Sequence, residues 1–254
     1  MLNQIHNENC IETMSRMKNN FIDLTVTSPP YDDLRVYNGY EFDFDVISKE
    51  LYRVTKLGGV LVWIVGDRTI NGSETGTSFK QALKFIDVGF NLHDTMIWEK
   101  TNPMPKFKHK RYFDVFEYMF IFTKGKLNTF NPLMQANKQA GEIYDYTAKL
   151  QTTGKERKKK TFYINTERYK NNIWPCAVAL NKTNHPAVFP IKLAVDHILS
   201  WSNQGDLVYD PFIGSGTTAL AAKKYNRNFI GSEISSEYCE IANSQIFQVQ
   251  QELL

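Results

Sequence analysis

The tetrapeptide Ser-Pro-Pro-Tyr at residues 28–31 has the residue types and the spacing to hold a flat ring that carries an amino group. Pro29 and Pro30 fix the backbone, so the hydroxyl of Ser28 and the carbonyl of Pro29 can point the same way as two acceptors. Two fixed acceptors match the two hydrogens of an exocyclic NH₂ group and encourage its nitrogen lone pair to leave the ring's π system. Tyr31 adds a flat face for stacking a base, worth roughly 1–3 kcal/mol. The alternative is a plain turn that ends a strand, because prolines cannot continue a ladder.

A glycine-rich turn near the C-terminus is the second candidate site. Gly214, Gly216 and Ala219 match the pattern G-x-G-x-x-G/A, and an apolar segment at 207–209 precedes them. Glycines there permit a tight turn and let a ligand approach the backbone amides at a helix start. Glu233 ends the next predicted strand, where its carboxylate can accept hydrogen bonds from both ribose hydroxyls of a nucleoside. The pattern fits NAD enzymes and adenosylmethionine enzymes alike, and a tight turn without a ligand is the third interpretation.

Basic residues concentrate between Lys100 and Arg168, although the net charge of the chain is only +3. Basic and aromatic residues interleave at 103–113, a mixture that suits phosphate contacts and insertion beside an extruded base. The basic run at 155–160 suits a phosphate clamp, since lysine clusters carry little sequence information. A solvated surface loop is the alternative for either segment. The candidate nucleic-acid contacts are Lys106, Lys108, Lys110, Arg111, Lys155, Arg157, Lys158, Lys159 and Lys160.

The composition is that of an ordinary globular protein, with 42% hydrophobic, 13% aromatic and 22% charged residues. The N-terminus lacks the regions of a signal peptide, and no apolar run approaches the roughly 20 residues of a membrane span. We therefore expect a cytoplasmic protein with no membrane partner. Cys10, Cys176 and Cys239 have neither zinc-site nor redox-motif spacing, so we predict no metal site.

The two candidate sites need strands and helices to position them. Runs of apolar and β-branched residues predict strands at 21–27, 60–65, 95–98, 118–122, 207–209 and 228–230. Apolar residues at helical spacing predict helices at 45–55, 78–88 and 190–201, and further helices from Thr217 and from Ser236. The glycine pair Gly58-Gly59 is expected to end the first helix. The residues expected to face inward are Phe79, Leu83 and Ile86 on the second helix and Ile191, Ala194, Val195 and Ile198 on the third.

Strands that alternate with helices predict an α/β fold with a doubly wound, mostly parallel sheet. The chain ends soon after Glu233, so the remaining strands must come from upstream of the glycine-rich turn, which implies a permuted order. From about Gly125 to Pro175 the regular pattern fails, and this stretch is expected to be an inserted lobe or loop.

Taken together, these motifs resemble the β-class amino-methyltransferases of DNA. That family carries [D/N/S]-P-P-Y near its N-terminus, here Ser28–Tyr31, and D-P-F-x-G-S-G-T-T near its C-terminus, here Asp210–Thr218. Its intervening landmarks are matched by Trp98–Lys100, Asn102–Pro105 and His185–Pro190. The resemblance spans nearly the whole chain except the irregular stretch, which corresponds in position to the family's target-recognition segment.

The resemblance implies a Rossmann-like methyltransferase fold with a circularly permuted motif order. Its parts would be a catalytic half at 1–124, an inserted target-recognition region at 125–175 and a cofactor-binding half at 176–254. The implied cofactor is S-adenosyl-L-methionine, and the implied partner is double-stranded DNA with the target base flipped out. The implied cofactor-binding residues are Asn9, Phe189, Pro190, Asp210, Phe212, Gly214, Gly216, Thr217 and Glu233. Asn9 departs from the family, which usually has Asp there, although an amide can still hydrogen-bond an adenine edge.

The resemblance favours cytosine as the target base. Ser at the first position of the tetrapeptide is commoner among family members that act on the cytosine amino group, and Phe189 favours the same choice. Asn102–Pro105 is also familiar from adenine enzymes, which keeps N6-methyladenine as the alternative. Two other classes stay open, an inactive DNA-binding module and an NAD-linked oxidoreductase, and the second leaves Ser28–Tyr31 unexplained. A homodimer and a cognate restriction endonuclease are partners that the sequence leaves open.

Overall fold

The computed structural model describes residues 1–30, 36–37, 40–103, 110–147, 159–178 and 190–252. The helices in these ranges are α1 (Cys10–Ser15), α2 (Phe44–Val54), α3 (Thr77–Asp87), α4 (Ile191–Trp201), α5 (Thr217–Lys224) and α6 (Ser236–Glu252). The strands are β1 (Gln4–Asn7), β2 (Ile22–Thr27), β3 (Val36–Tyr37), β4 (Tyr40–Glu41), β5 (Thr55–Val65), β6 (Thr69–Ile70), β7 (Ser73–Glu74), β8 (Asn91–Lys100), β9 (Phe116–Thr123), β10 (Met134–Ala136), β11 (Ile143–Thr147), β12 (Lys159–Tyr163), β13 (Glu167–Tyr169), β14 (Ile173–Cys176), β15 (Leu207–Asp210) and β16 (Asn228–Glu233). In the part of the chain that the structure describes, every helix is too short or too polar to cross a bilayer.

Within the same ranges, eight strands form one sheet in the order β1-β16-β15-β2-β5-β9-β8-β14. Neighbours run parallel except at β9, which is antiparallel to β5 and to β8. The predicted, mostly parallel α/β sheet is confirmed. The permuted order is confirmed too, because β15, which precedes the glycine-rich turn, pairs with β2 from the start of the chain.

Helices cover both faces of this sheet. On β5, Trp63 belongs to a core cluster with residues of α2 and α3, while its neighbours Val62 and Ile64, which point to the opposite face, are also buried. On that opposite face, His197 of α4 lies 3.3 Å from the sulfur of Met119 on β9. Burial on both faces of the sheet explains the continuous apolar run at 60–65 of β5.

The inward face of α3 differs from the prediction. Phe79, Leu83 and Ile86 are 51%, 61% and 40% exposed, whereas Gln81 and Phe85 are buried. The ring of Phe85 packs 4.9 Å from that of Trp63, and the Trp63 indole N–H donates a 2.8 Å hydrogen bond to the Gln81 side chain. A polar residue therefore occupies the core because it satisfies a buried donor.

Gly58 and Gly59 do not end α2, contrary to the prediction. The helix ends just before Thr55, whose hydroxyl donates a 2.6 Å hydrogen bond to the carbonyl of Leu51, and β5 starts at Thr55 itself. A Cβ on Gly59 would lie 2.9 Å from the carbonyl oxygen of Asp23 on β2. Glycine at this position therefore permits close packing between strands.

Two of the four residues predicted to face inward on α4 are fully buried, and Val195 is only half-buried. Ala194 and Ile198 are fully buried, but Ile191 is 44% exposed. The buried arc of the helix is centred near Ala194, His197 and Trp201, and Ile191 falls at its margin. Pro190 lies just outside the helix, as its N-cap residue.

Residues Pro132–Asn171 form a compact unit distinct from the unit that holds the large sheet. This smaller unit contains two antiparallel ribbons, β10 with β13 and β11 with β12. Residues 125–131 and 172–175, which the sequence-based boundaries place in the insertion, belong to the larger unit, and β14 pairs with β8 in its sheet. A role in target recognition remains a prediction for this unit.

Candidate active site

The C-terminal ends of β1, β16, β15 and β2 lie side by side, because these four parallel strands are neighbours. Ser28 follows β2 directly, the glycine-rich turn follows β15, and Glu233 is the last residue of β16. The structure therefore brings the Ser-Pro-Pro segment, the glycine-rich turn and Glu233 to one edge of the sheet. In open α/β sheets, this edge is where ligands bind.

Asp210, the last residue of β15, connects these segments. Its carboxylate is 2% exposed and accepts hydrogen bonds from the hydroxyls of Thr27 at 2.6 Å and Thr218 at 2.7 Å, and from the Phe212 N–H at 3.0 Å. Burial raises the pKa of Asp210 to about 6, although the two threonine hydroxyls and the amide act in the opposite direction. Because Thr27 immediately precedes Ser28, Asp210 ties the end of β2 to the glycine-rich turn.

The glycine-rich turn is shaped by its own hydrogen bonds and by a close helix. Gly214 and Gly216 have φ values of 51° and 94°, in the left-handed region that favours glycine. The N–H of Ile213 donates a 3.0 Å hydrogen bond to the carbonyl of Ser232 on β16. A Cβ on Gly216 would lie 2.8 Å from the Cβ of Ala242 on α6. Gly216 thus permits the approach of α6 to the start of α5, where Thr217 is the first helical residue.

Glu233 joins the glycine-rich turn to the segment that follows β16 through its carboxylate. One oxygen accepts the N–H of Gly214 at 3.0 Å, and the other accepts the N–H of Ser235 at 2.8 Å. Burial raises the pKa of the Glu233 carboxyl, against the effect of these amides. The backbone carbonyl of Glu233 accepts a 2.9 Å hydrogen bond from the side chain of Asn7. Each carboxylate oxygen keeps further acceptor capacity for a ligand.

Phe212 and Pro190 lie near the same edge. The half-buried ring of Phe212 is 5.7 Å from the ring of Phe42 and 6.2 Å from that of Trp63, which makes it part of an aromatic cluster. Pro190 is buried, and its carbonyl accepts the first hydrogen bonds of α4. Phe189 lies outside the described residues.

Asn9 caps α1. Its side-chain oxygen accepts a 2.9 Å hydrogen bond from the N–H of Ile11, the usual role of an N-cap residue. This contact gives Asn9 a structural function, and its contact with a cofactor remains a prediction.

The Ser-Pro-Pro segment is anchored at its centre. Pro29 is buried, while Ser28 and Pro30 are half-buried. Tyr31 lies outside the described residues. Thr27 and Thr218, whose hydroxyls donate to Asp210, were missed as candidate site residues.

A charged cleft lies further along the same edge and was also missed. It is lined by Gly66 and Asp67 after β5, Lys100 at the end of β8 and Phe116 and Glu117 at the start of β9, with Arg68 and Asp114. Lys100 and Glu117 form a 2.8 Å ion pair with only 18% and 12% of their side chains exposed. The match of Trp98–Lys100 to a family landmark is the signal that points to this cleft.

The predicted nucleic-acid contacts are only partly described. Lys110 and Arg111 are exposed, and Arg111 forms a 3.0 Å ion pair with Glu74. Tyr112 is fully exposed and Phe113 is 47% exposed, so these aromatic residues do not pack inward. Lys159 and Lys160 lie on β12. The residues outside the described ranges are Lys106, Lys108, Lys155, Arg157 and Lys158.

Several known proteins are similar to this chain. Residues 22–244 match a family model described as DNA methylase. The orphan methyltransferase M.BamHII of Bacillus amyloliquefaciens is 52% identical over 240 residues, covering 89% of this chain and 88% of that protein. The structure of PvuII DNA methyltransferase (cytosine-N4-specific) is similar with a TM-score of 0.71 and 20% identity, covering 95% of this chain and 85% of that one. The M1.HpyAVI–SAM complex gives a TM-score of 0.62 and 24% identity, covering 95% and 98%. The two structural matches confirm the methyltransferase fold.

Proposed function

The chain belongs to the DNA methylase family of N6 and N4 amino-methyltransferases, and within it we propose methylation of the N4 amino group of cytosine. It is a DNA methyltransferase that uses S-adenosyl-L-methionine. The observation that supports methyl transfer at this edge is the 2.6 Å hydrogen bond between Thr27 and Asp210, which joins the Ser-Pro-Pro segment to the glycine-rich turn. The choice of cytosine rests on Ser28.

The groups at the ends of β15 and β16 fit S-adenosylmethionine by their chemistry. Glu233 keeps an acceptor position on each carboxylate oxygen, which suits two ribose hydroxyls. Phe212 offers a flat apolar surface beside the Gly214 backbone, and Pro190 borders the same edge. When bound, the sulfonium group supplies an activated methyl group. Asn9 and Thr217 are proposed as further contacts, while Asp210 and Gly216 have structural partners and are proposed to shape the loop.

Ser28 and Pro29 are proposed to orient the methyl acceptor. The Ser28 hydroxyl and the Pro29 carbonyl accept the two hydrogens of the cytosine amino group, so that its lone pair is directed at the methyl group. The site would hold the amino nitrogen in line with the methyl carbon of the cofactor, whose carbon–sulfur bond would break as the carbon–nitrogen bond forms, and the extra proton on nitrogen would leave to solvent or to a neighbouring group. The site contributes by positioning the base and by its electrostatics, and the transfer needs no covalent intermediate. Tyr31 is proposed to stack on the base.

Adenine is the second candidate for the methyl acceptor, because Asn102–Pro105 is familiar from adenine enzymes. The structure offers another role for Asn102, whose side-chain oxygen accepts a 2.7 Å hydrogen bond from the N–H of Val178. This contact fastens the end of β8 to the segment after β14. Asn102 therefore has a structural reason to be present under either choice of base.

The amino group of a paired cytosine is inaccessible in a duplex, so we propose that the target nucleotide is flipped out, at a cost of a few kcal/mol. Contacts to phosphates from the predicted basic residues would offset this cost. Lys110, Arg111 and the exposed ring of Tyr112 adjoin one another in sequence and combine charge with a stacking surface.

A cognate restriction endonuclease is less favoured as a partner than the sequence alone suggests. The relative that is 52% identical is named an orphan methyltransferase. We propose that this chain also acts without a companion endonuclease, in the cytoplasm of a bacterial or phage-infected cell.

Nucleoside analysis tests the proposal. The purified chain is incubated with S-adenosylmethionine and unmethylated genomic DNA, which is digested to nucleosides and analysed by mass spectrometry. N4-methyldeoxycytidine that disappears in Ser28→Ala, and persists in the control Ser15→Ala at an exposed hydroxyl on α1, is the expected result. N6-methyldeoxyadenosine in its place would overturn the choice of base.

A further inference from the structure

The ribbon of β10 and β13 in the smaller unit has two chemically different faces. Gln135 lies directly opposite Arg168, and side chains that face each other across such a ribbon point to the same side. Backbone hydrogen bonds continue this register by one residue pair at each end. Hydrogen-bonding side chains therefore dominate one face, which carries Leu133, Gln135, Asn137, Thr166, Arg168 and Lys170. The carboxylate of Glu167 belongs to the opposite face, together with Met134 and Tyr169.

The guanidinium group of Arg168 is held by two neutral side chains of the same unit. The amide oxygen of Gln135 accepts hydrogen bonds from Nε at 3.3 Å and from Nη2 at 2.8 Å, in the amide orientation that these donors require. The side-chain oxygen of Asn171 accepts a third hydrogen bond, from Nη1 at 2.7 Å. Because neither partner carries a charge, they orient the guanidinium without neutralising it. Arg168 is exposed, so this oriented charge is accessible to a ligand.

The hydrogens that remain on Arg168 form a fork. An arginine side chain has five N–H donors in one plane. The contacts with Gln135 and Asn171 use the Nε hydrogen and one hydrogen on each terminal nitrogen, so Nη1 and Nη2 each keep a second hydrogen. Two such donors suit a bidentate contact with two adjacent acceptors.

Guanine offers that pair of acceptors in DNA. In the major groove it presents O6 beside N7, whereas adenine presents an amino donor beside its N7 and cytosine presents an amino donor. A guanidinium fork therefore matches guanine and meets a donor on either of the other two bases. Gln135 cannot itself read adenine in this arrangement, because its oxygen is engaged by Arg168.

A phosphate group also accepts two hydrogens from arginine, but the surroundings of Arg168 favour a base. Its neighbours Asn137 and Thr166 on the same face are polar and uncharged, whereas phosphate contacts are commonly made by clusters of basic residues. Two fixed acceptors set the direction of the fork, which a planar base edge requires. A two-stranded ribbon also fits the major groove of DNA, which is about 12 Å wide.

We propose that Arg168 reads a guanine of the target sequence through O6 and N7, and that Gln135 positions its guanidinium group. The inference rests on the proposed role of the smaller unit in target recognition and extends it to one residue and one base. It is independent of the choice between cytosine and adenine as the methyl acceptor, because the guanine is read without being methylated.

Mapping of methylated positions tests the inference. The full chain and its variants methylate unmethylated genomic DNA, and sequencing that detects methylated bases gives the recognition sequence of each. Arg168→Ala is expected to accept other bases at one guanine position, where discrimination falls by roughly 10- to 100-fold, and to keep the remaining positions. Arg168→Lys should relax the same position, because an ammonium group is not a planar fork.

Lys138→Ala is the matched control, since it removes an exposed positive charge from the same unit and should keep the whole recognition sequence. An Arg168→Ala variant that keeps the sequence but is slower at every site would assign Arg168 to a phosphate and overturn the proposal. Relaxation at every position would overturn it too. The identity of the methylated base, read in the same experiment, tests the cytosine proposal separately.

Base analogues test the contact atom by atom. Duplexes that contain the mapped sequence, with 7-deazaguanine at the relaxed position, lack the N7 acceptor. The wild-type chain should methylate them about tenfold more slowly than the guanine duplexes, and Arg168→Ala should methylate both at equal rates. Equal slowing in both proteins, or no slowing in the wild type, would overturn the contact.

Gln135→Leu tests the positioning role, because it removes the acceptor while nearly preserving the side-chain volume. Discrimination at the same guanine should fall by about 3- to 10-fold, with S-adenosylmethionine binding unchanged. A merely structural role would lower the rate or the stability without changing the preference for guanine. Full discrimination in Gln135→Leu would therefore contradict the role of Gln135.

Discussion

The hydroxyl of Thr27 donates a 2.6 Å hydrogen bond to the carboxylate of Asp210, and both residues are almost completely buried. Thr27 precedes the Ser-Pro-Pro segment, and Asp210 opens the glycine-rich turn, so one hydrogen bond links the two halves of the site across neighbouring strands. Thr218 at the start of α5 donates to the other oxygen of Asp210. The carboxylate therefore fixes β2, β15 and α5 relative to one another. A shift of about 1 Å between a methyl donor and its acceptor can lower a rate by about 100-fold.

Thr27→Val removes this hydrogen bond while nearly preserving the volume of the side chain. The free energy of unfolding should fall by about 1.5–3 kcal/mol, because a buried charged acceptor loses a donor. Methyl transfer should slow by about tenfold, since the end of β2 is less firmly held. Urea denaturation and initial rates with saturating cofactor measure the two effects.

Thr25→Val is the matched control, on the same strand. The Thr25 hydroxyl is buried and has no hydrogen-bond partner within the described ranges. Its replacement by a methyl group should leave stability unchanged or raise it by up to roughly 1 kcal/mol, with no change in rate. Equal losses in both variants would contradict a specific role for the hydrogen bond between Thr27 and Asp210.

Asp210→Asn tests how much stability the protein loses by burying the charged carboxylate of Asp210. The pKa of Asp210 is about 6 in the folded chain, above the ordinary value of about 3.9 in an unfolded chain. The folded state therefore binds a proton more tightly, and the stability this group contributes is greatest below pH 4 and is lost as the pH rises through 6. Relative to Asp210→Asn, the wild-type free energy of unfolding should fall by on the order of 2–3 kcal/mol between pH 4 and pH 7.

Urea denaturation of the wild-type chain and of Asp210→Asn across this pH range measures the difference. A wild-type stability that rises with pH relative to Asp210→Asn would mean that the hydrogen bonds outweigh the burial of the charge.

Gly216→Ala should destabilise the chain for two separable reasons. An alanine at a φ of 94° costs about 1–2 kcal/mol, and its Cβ would meet Ala242 at 2.8 Å, which adds about 1–3 kcal/mol of overpacking. Gly205→Ala, at a φ of 85° with open space around it, should show the first cost alone. Urea denaturation of both variants separates the two terms.

Ala242→Gly in the Gly216→Ala background should recover part of the packing term. If the double variant is no more stable than Gly216→Ala, then the close approach of α6 does not explain the glycine at position 216.

The residues of the candidate site are easier to recognise in the sequence than the contacts that hold them in place. The Ser-Pro-Pro-Tyr motif, the glycine-rich turn and Glu233 are recognisable because each combines unusual residue types at fixed spacing. The link between Thr27 and Asp210 is not recognisable, because 183 positions separate the two residues and only the pairing of β15 with β2 brings them together. Threonine at the end of a strand is also ordinary for strand composition.

The orientation of α3 shows why periodicity alone fails at the level of single helices. The helix has apolar residues on two sides, and the sequence does not state which side the sheet covers. Gln81 decides the orientation, because the buried indole of Trp63 needs its side-chain oxygen. Such a requirement depends on a tertiary contact and is absent from any local pattern.

We propose that Ser28 serves methyl transfer and that Glu233 serves cofactor binding. Titration of S-adenosylmethionine into two variants, with methyl transfer measured in parallel, separates these two roles. Ser28→Ala should bind the cofactor within about twofold of the wild type, while its transfer rate falls by on the order of 100-fold because one acceptor for the target amino group is lost. Glu233→Gln should weaken cofactor binding by about tenfold or more, because an acceptor for the ribose is lost. A Ser28→Ala variant that loses cofactor binding, or transfers methyl groups at the wild-type rate, would contradict the proposed role of Ser28.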